Sequence, residues 1–229
     1  MKKYAITAAL MICFTVGLFG CGKDAMHKNR LAQDECPQHR QDEYSLAKPV
    51  IYLYPTQKTD VFVRLDYTGI LSCTYPAYEN GWRVTAEPDG TLTDSKTGRE
   101  YYGLFWEGRG RADFDFRQGF VIPGRDTAVF LEDALAKLGL NETEAQEFIV
   151  YWLPQMQDNP YNLISFQQER YTDIARLNIE PKPDTVIRVF MAWQPVNAPM
   201  DDLPVQTLST PERQGFTVVE WGGSKCNDS

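Results

Sequence analysis

Three carboxylates within nine residues, Glu107, Asp113 and Asp115, are the part of this sequence best equipped for chemistry. They follow Trp106 and are interleaved with Arg109, Arg111 and Arg117. Two carboxylates cleave a glycosidic bond when one keeps a raised pKa and their separation suits inversion or retention. If 113–117 is extended, Asp113, Asp115 and Arg117 share one face, and Phe114 and Phe116 share the other. The same residues also read as a solvated strand face whose acids are neutralised by neighbouring arginines. No residue is assigned a catalytic role outright, and these three are the candidates.

Other chemistries fall away on composition and spacing. The two histidines, His27 and His39, both precede the folded domain expected below. A domain without histidine holds no Ser-His-Asp or Cys-His relay, no HExxH zinc site and no His-ligated catalytic metal. A zinc site built from His27, Cys36 and His39 is the one formal exception. Glu107-Gly-Arg-Gly-Arg111 is glycine-rich but lacks the spacing of a phosphate loop, and it reads as a flexible basic hairpin tip. Asp113-Phe-Asp115 begins like a calcium loop, but Arg117 stands where another oxygen ligand is needed. No cofactor and no metal are expected. Trp82, Trp106, Trp152, Trp193 and Trp221 permit stacking on a sugar or peptide, although the helical spacing of Trp152 points to the core.

The elements that must position these residues are mostly strands. Lys48-Pro-Val-Ile-Tyr-Leu-Tyr-Pro55 reads as a strand covered on both faces, bracketed by prolines. In Asp60–Tyr67, Val61, Val63 and Leu65 face one way while Phe62, Arg64 and Asp66 face the other. Gly81–Ala86, Pro88-Asp-Gly90 and Thr91-Leu-Thr form a hairpin signature, and Glu100–Trp106 follows as a further strand. From Asp126 the apolar residues Phe130, Leu131, Ala134, Leu135 and Leu138 take helical spacing, with Asp126 or Thr127 as a cap and Gly139 as the stop. Asn141 and Glu144 make a capping-box pair for a second helix, which carries Ala145, Phe148, Ile149 and Trp152 and is expected to stop at Pro154. Strands resume at 161–166, 174–179 and 185–193. A long loop over 195–215 is expected to be functional or mobile, and 216–221 closes the domain before a tail from Gly222. The fold class is therefore α+β: a mostly antiparallel β sandwich or barrel-like domain with an inserted αα-hairpin at about 126–153.

The N-terminus has a different character. Lys2 and Lys3 precede an uncharged, mostly apolar run from Ala5 to Phe19, too short for a spanning helix of about 20 residues, and Leu18-Phe-Gly-Cys21 ends it. This stretch resembles the lipobox of bacterial lipoproteins, with Phe19 bulkier than that pattern usually has. The alternative is a plain signal peptide or anchor with a chance cysteine. The resemblance implies a signal peptide over 1–20 and acylation at Cys21; the polar, charged run that follows reads as a tether over 21–46, and the remaining length suits a single domain over 47–229. Gly22 in place of Asp then implies sorting to the outer membrane, facing the periplasm or the surface. Lys48–Pro55, Tyr102–Gly108 and Asn141–Phe166 together are similar to an uncharacterised family of bacterial envelope proteins with a KPVIYLYP opening and a YWLP helix end, which brings no activity.

Loss of 1–20 removes two lysines and no acid, leaving a charge of about −10. Such a chain is repelled by nucleic acid and by anionic lipid. Its expected partners are the bilayer, reached through acyl chains on Cys21, and an envelope protein, peptide or glycan. With Cys13 discarded and Cys21 acylated, Cys36, Cys73 and Cys226 remain, so one bridge with one free thiol and no bridge at all both stay open. Two functions follow: a non-enzymatic envelope binding or structural module, or a carboxylate-dependent glycan hydrolase.

Overall fold

The computed structural model describes residues 43–226. The signal segment, Cys13, Cys21, Cys36, His27, His39 and nearly all of the expected tether lie outside the described residues.

The fold is α+β, with three layers. A seven-stranded sheet runs in the order β3 (Ile70–Tyr75), β7 (Leu104–Arg111), β1 (Glu43–Tyr54), β12 (Thr217–Lys225), β11 (Thr185–Val196), β9 (Tyr161–Phe166), β8 (Phe120–Pro123). A five-stranded sheet runs β10 (Ala175–Glu180), β2 (Thr59–Tyr67), β4 (Trp82–Ala86), β5 (Leu92–Asp94), β6 (Glu100–Tyr101). Between the sheets lies one core, with Leu53, Val61, Val63, Trp82, Trp106 and Phe190. The other face of the larger sheet is covered by α1 (Thr127–Lys137) and α2 (Glu142–Met156), which bury Leu131, Leu135, Phe148 and Trp152 against Val189, Trp193 and Trp221. Double-sided burial explains why β1 and β12 read as continuous apolar runs rather than as alternating strands.

β1 takes in Glu43–Leu46, so these four residues, expected in the tether, belong to the sheet. Its register shifts against both β7 and β12 between residues 46–47 and 50, around Lys48, which has φ +60°. Pro49 has no N–H to give a ladder, and a β-bulge accommodates this interruption.

Several expectations need correction. Glu107–Arg111 is not a hairpin tip: it is the second half of β7, paired on both sides. Expected strand 100–106 is divided, Glu100–Tyr101 going to the small sheet and Leu104 onward to the large one. α2 continues through Pro154 to Met156. The N–H missing there would have met Val150, whose side chain is exposed, so solvent can serve the freed carbonyl. β12 extends to Lys225, so 222–225 is strand and not tail. β3, β8 and the short helix α3 (Gln168–Ile174) have no counterpart in the sequence reading.

The long loop has a topological cause. β11 and β12 are parallel neighbours, and a parallel pair needs a crossover connection. Residues 197–216 supply it without a regular element. Arg213 pins its end by donating to the Gly139 carbonyl at 2.7 Å and pairing with the buried Glu144 carboxylate. Gln206 pins its middle, accepting from the Phe166 N–H at 2.9 Å and donating to the Phe166 carbonyl at 2.7 Å.

The turn of the helical hairpin, from the end of α1 to the start of α2, forms as its signals specify. Leu140 N–H bonds the Leu135 carbonyl and Gly139 N–H that of Ala136, a Schellman ending with Gly139 at φ +90°. Asn141 and Glu144 form the reciprocal capping box. Asp126 occupies the cap position of α1 without a side-chain bond. Trp152 packs directly on β12, where a Cβ at Gly223 would stand 2.6 Å from its ring. Leu135→Ala should therefore lower stability by about 2–5 kcal/mol, as truncating a buried leucine does. Urea denaturation measures this, and an unchanged midpoint would show that α1 does not pack through this face.

Candidate functional site

The three candidate acids do not converge. β7 alternates, so Trp106 enters the core between the sheets while Glu107 faces the helical layer. There Glu107 Oε1 accepts the Lys48 N–H at 3.2 Å, satisfying the backbone at the bulge of β1. Burial, and then the Glu107 charge, push the Tyr151 hydroxyl of α2 upward in pKa. Asp113 and Asp115 belong to an irregular segment beyond the end of β7, not to a strand. Phe114 between them turns inward against Tyr44 and Phe190, with ring centroids 5.2 and 5.4 Å away. Both acids instead meet Arg170 of α3, on the side of the sheet where Tyr171 enters the inter-sheet core. Glu107 is thus separated from the aspartates by the sheet itself.

Asp115 is also electrostatically unsuited to donate a proton. Its carboxylate accepts from Arg117 Nε at 3.0 Å and from the Arg117 N–H at 2.9 Å. These bonds, side-chain first, hold its pKa down at about 2 despite some desolvation. General acid catalysis near neutrality requires the opposite shift.

Stacking platforms are equally scarce. All five tryptophans are at most 2% exposed, so none offers a face to a sugar. Tyr75 and Tyr102 are the large exposed aromatics. Cys73 is an exposed free thiol and Cys226 a buried one, pushed up to about 12 by burial. Among the described residues, no three His, Cys, Asp or Glu side chains converge on a metal position.

The most unusual chemical group lies in the core and was not singled out by sequence. Arg188 of β11 and Glu220 of β12 are register partners, 8% and 0% exposed, with Arg188 Nε donating to Glu220 Oε2 at 2.7 Å. Trp106 Nε1 donates to the other carboxylate oxygen at 3.0 Å, and the guanidinium lies 4.4 Å over the Tyr171 ring. The available signal was one charge on the inward face of each of two apolar strands.

Two clefts open near this network. One, of about 310 Å³, lies between the Asp115 segment, α3 and the crossover. Its inner amides are already committed: Gln167 donates to the Asp115 carbonyl and to Ser165, and accepts the Asp115 N–H. The second, of about 470 Å³, runs between β10 and β11 and is lined by Leu177, Val186, Arg176, Lys182 and Arg188 among others. It combines apolar walls with cations whose hydrogen-bonding capacity is not exhausted. On chemistry, the second is the better binding site.

No known protein family, no curated protein and no solved structure matches the chain.

Because Asp115 has a depressed pKa in the folded state, its contribution to stability is complete above the unfolded value of about 3.9. It is lost as pH falls towards about 2. Asp115→Asn should lower stability near neutrality by the contribution of this carboxylate and flatten the acid limb of the stability–pH curve, mutant and parent converging as pH falls through that window. An identical acid limb in mutant and parent would show that the Arg117 pairing is not formed in solution.

Proposed function

We propose that the protein is a bacterial envelope lipoprotein, held by acyl chains on Cys21, whose folded domain is a non-enzymatic binding module. The observation that carries the second half is the parting of the candidate acids. Glu107 serves the bulge of β1 on one face of the sheet, while Asp113 and Asp115 pair with arginines on the other. A glycosidase needs its two carboxyl groups about 5–9.5 Å apart around one substrate bond, with one of them protonated. The acids that could face a common ligand, Asp113 and Asp115, share Arg170, and Asp115 is held far on the ionised side.

The anchoring half rests on Lys2, Lys3, the apolar run and Leu18-Phe-Gly-Cys21. Among the described residues no helix is long and apolar enough to cross a membrane. An acyl anchor requires none, and triacylation supplies the second chain that stable attachment needs. Gly22 favours delivery to the outer membrane. Because the acidic chain gains nothing from anionic head groups, the lipid on Cys21 is its means of attachment.

Cys21→Ala should abolish incorporation of labelled palmitate and release the protein from the membrane fraction; a labelled mutant would sink the lipoprotein assignment. Purified wild-type protein should show no turnover of cell-wall or storage glycans. Hydrolysis that disappears in Glu107→Gln or Asp113→Asn, with melting unchanged, would overturn the binding-module assignment.

A further inference from the structure

The half-apolar cleft between β10 and β11 can be taken further, on the reading that the domain is a binding module. β10 ends the five-stranded sheet: β2 pairs with one side of it in unbroken register from Ala175 to Glu180, and no strand of the described residues pairs with the other. Arg176 to Glu180, five consecutive residues, all line the cleft. Successive strand side chains point to opposite faces, so an unbroken run lining one cleft means that the cleft follows the backbone edge of β10. One wall therefore carries unpaired backbone N–H and C=O groups. Opposite stands Val186 of β11, 41% exposed although Thr185 and Ile187 beside it are buried.

The charges in this cleft run against the rest of the molecule. The chain has a formal charge of −8, yet the cleft holds the exposed Arg176 and Lys182, beside an Arg188 neutralised by Glu220, against a single lining acid, Glu180. Asp66, the register partner of Arg176, is already held by Arg64 and Asn178. Lys182 forms no ion pair among the described residues. Arg188 spends its Nε and its Nη2 on Glu220, at 2.7 and 2.6 Å, so its charge is already met, and only its Nη1, 3.4 Å from Thr172 Oγ1, keeps hydrogen-bonding capacity. A ligand that fits must bring main-chain donors and acceptors for the strand edge, apolar groups for Leu177 and Val186, and negative charge for the cations. A glycan meets the first need poorly and finds no aromatic face here. A fatty acid leaves the strand edge unpaired.

We propose that this cleft binds an extended peptide segment of a partner protein, apolar at alternate positions and acidic between them, by strand addition to β10. Main-chain hydrogen bonds then supply affinity, while Leu177, Val186 and the cations select the side chains.

The test uses the full-length protein in nanodiscs of zwitterionic phospholipid and two fluorescein-labelled decapeptides, one alternating valine with glutamate and one alternating valine with lysine. The glutamate peptide should bind saturably and slow amide hydrogen exchange at 176–180. The lysine peptide should bind at least about tenfold more weakly, as opposite rim charge demands. Arg176→Gln combined with Lys182→Glu should abolish that preference with melting nearly unchanged; both side chains are exposed, and glutamine sets no like charge opposite Asp66. Equal binding of the two peptides, no saturable binding, or protection confined to β3 would overturn the proposal. So would displacement by laurate with the β10 amides left unprotected. Palmitate labelling of the same preparations keeps the two readings apart: labelled protein that ignores both peptides overturns the cleft assignment and leaves the anchor standing.

Discussion

The Arg188–Glu220 pair constrains more of this fold than any other contact. Removing two charges from water carries a desolvation penalty of several kcal/mol per ion, offset only when geometry is good and remaining donors and acceptors are met. Here Trp106 Nε1 takes the second carboxylate oxygen and the Tyr171 ring covers the guanidinium. Four elements are thereby tied to one point: β7 through Trp106, α3 through Tyr171, and β11 and β12 through the ions. The pair also depends on parallel register, since Arg188 and Glu220 are direct partners across β11 and β12. Parallel pairing in turn demands the crossover over 197–216, and the crossover must be held down. Arg213 and Gln206 do that on opposite parts of it.

The larger sheet is buried on both faces along its centre, and this sets local sequence in ways that composition alone does not reveal. Gly223 is small because the Trp152 indole occupies the space above it. Glu144 is buried yet fully used: it completes the capping box and receives Arg213. Tyr52 OH donates to Glu147 at 2.7 Å and accepts from Trp221 Nε1 at 3.0 Å, so the underside of α2 is joined to β1 and β12 by polar bonds inside an apolar layer. Burial first, then the Glu147 contact, pushes the pKa of that tyrosine upward, so it remains a donor throughout the physiological range.

What the sequence disclosed follows the strength of its local signals. The helical hairpin was legible to the cap because Asn141, Glu144 and Gly139 each act within a few residues. β2 and β11 were legible from alternation. β3 was not, because an edge strand exposed on both faces leaves no alternation to read, and Ile70 is 77% exposed. The parallel register was invisible since it depends on residues about 32 positions apart, as Arg188 and Glu220 are. Grouping Glu107 with Asp113 and Asp115 failed for a related reason. Parity along a strand predicts a shared face only while the strand lasts, and β7 ends at Arg111. Past that point Phe114 is drawn inward by Tyr44 and Phe190, and the chain reorients. The cleft between β10 and β11 was equally hidden, because Arg176, Lys182 and Val186 come to line one space only through the packing of two different sheets.

The treatment of sheet edges bears on which surface is open to a partner. β6 is two residues long, too short to template another strand, and β8 is four residues ending in Pro123. The crossover also bridges Gly119 to Val205 beside β8, covering its approach. β3 is longer, uncharged and exposed, but its register shifts between Leu71 and Cys73, so its outward row of backbone groups is broken by a bulge. β10 alone among these combines six residues of continuous register with an adjoining cleft. An edge left so regular invites pairing with any passing strand, and charged side chains are the usual safeguard. On β10 that safeguard is selective. Arg176 and the nearby Lys182 repel a basic strand and attract an acidic one, while Val186 and Leu177 give an apolar residue somewhere to go. A surface with those properties discourages self-association of an acidic protein only where its own acidic strands are already paired. In this fold β2, the strand bearing Asp60 and Asp66, is enclosed between β10 and β4 and is not available to a second copy. β2 of a second copy is therefore not the segment that fills the cleft.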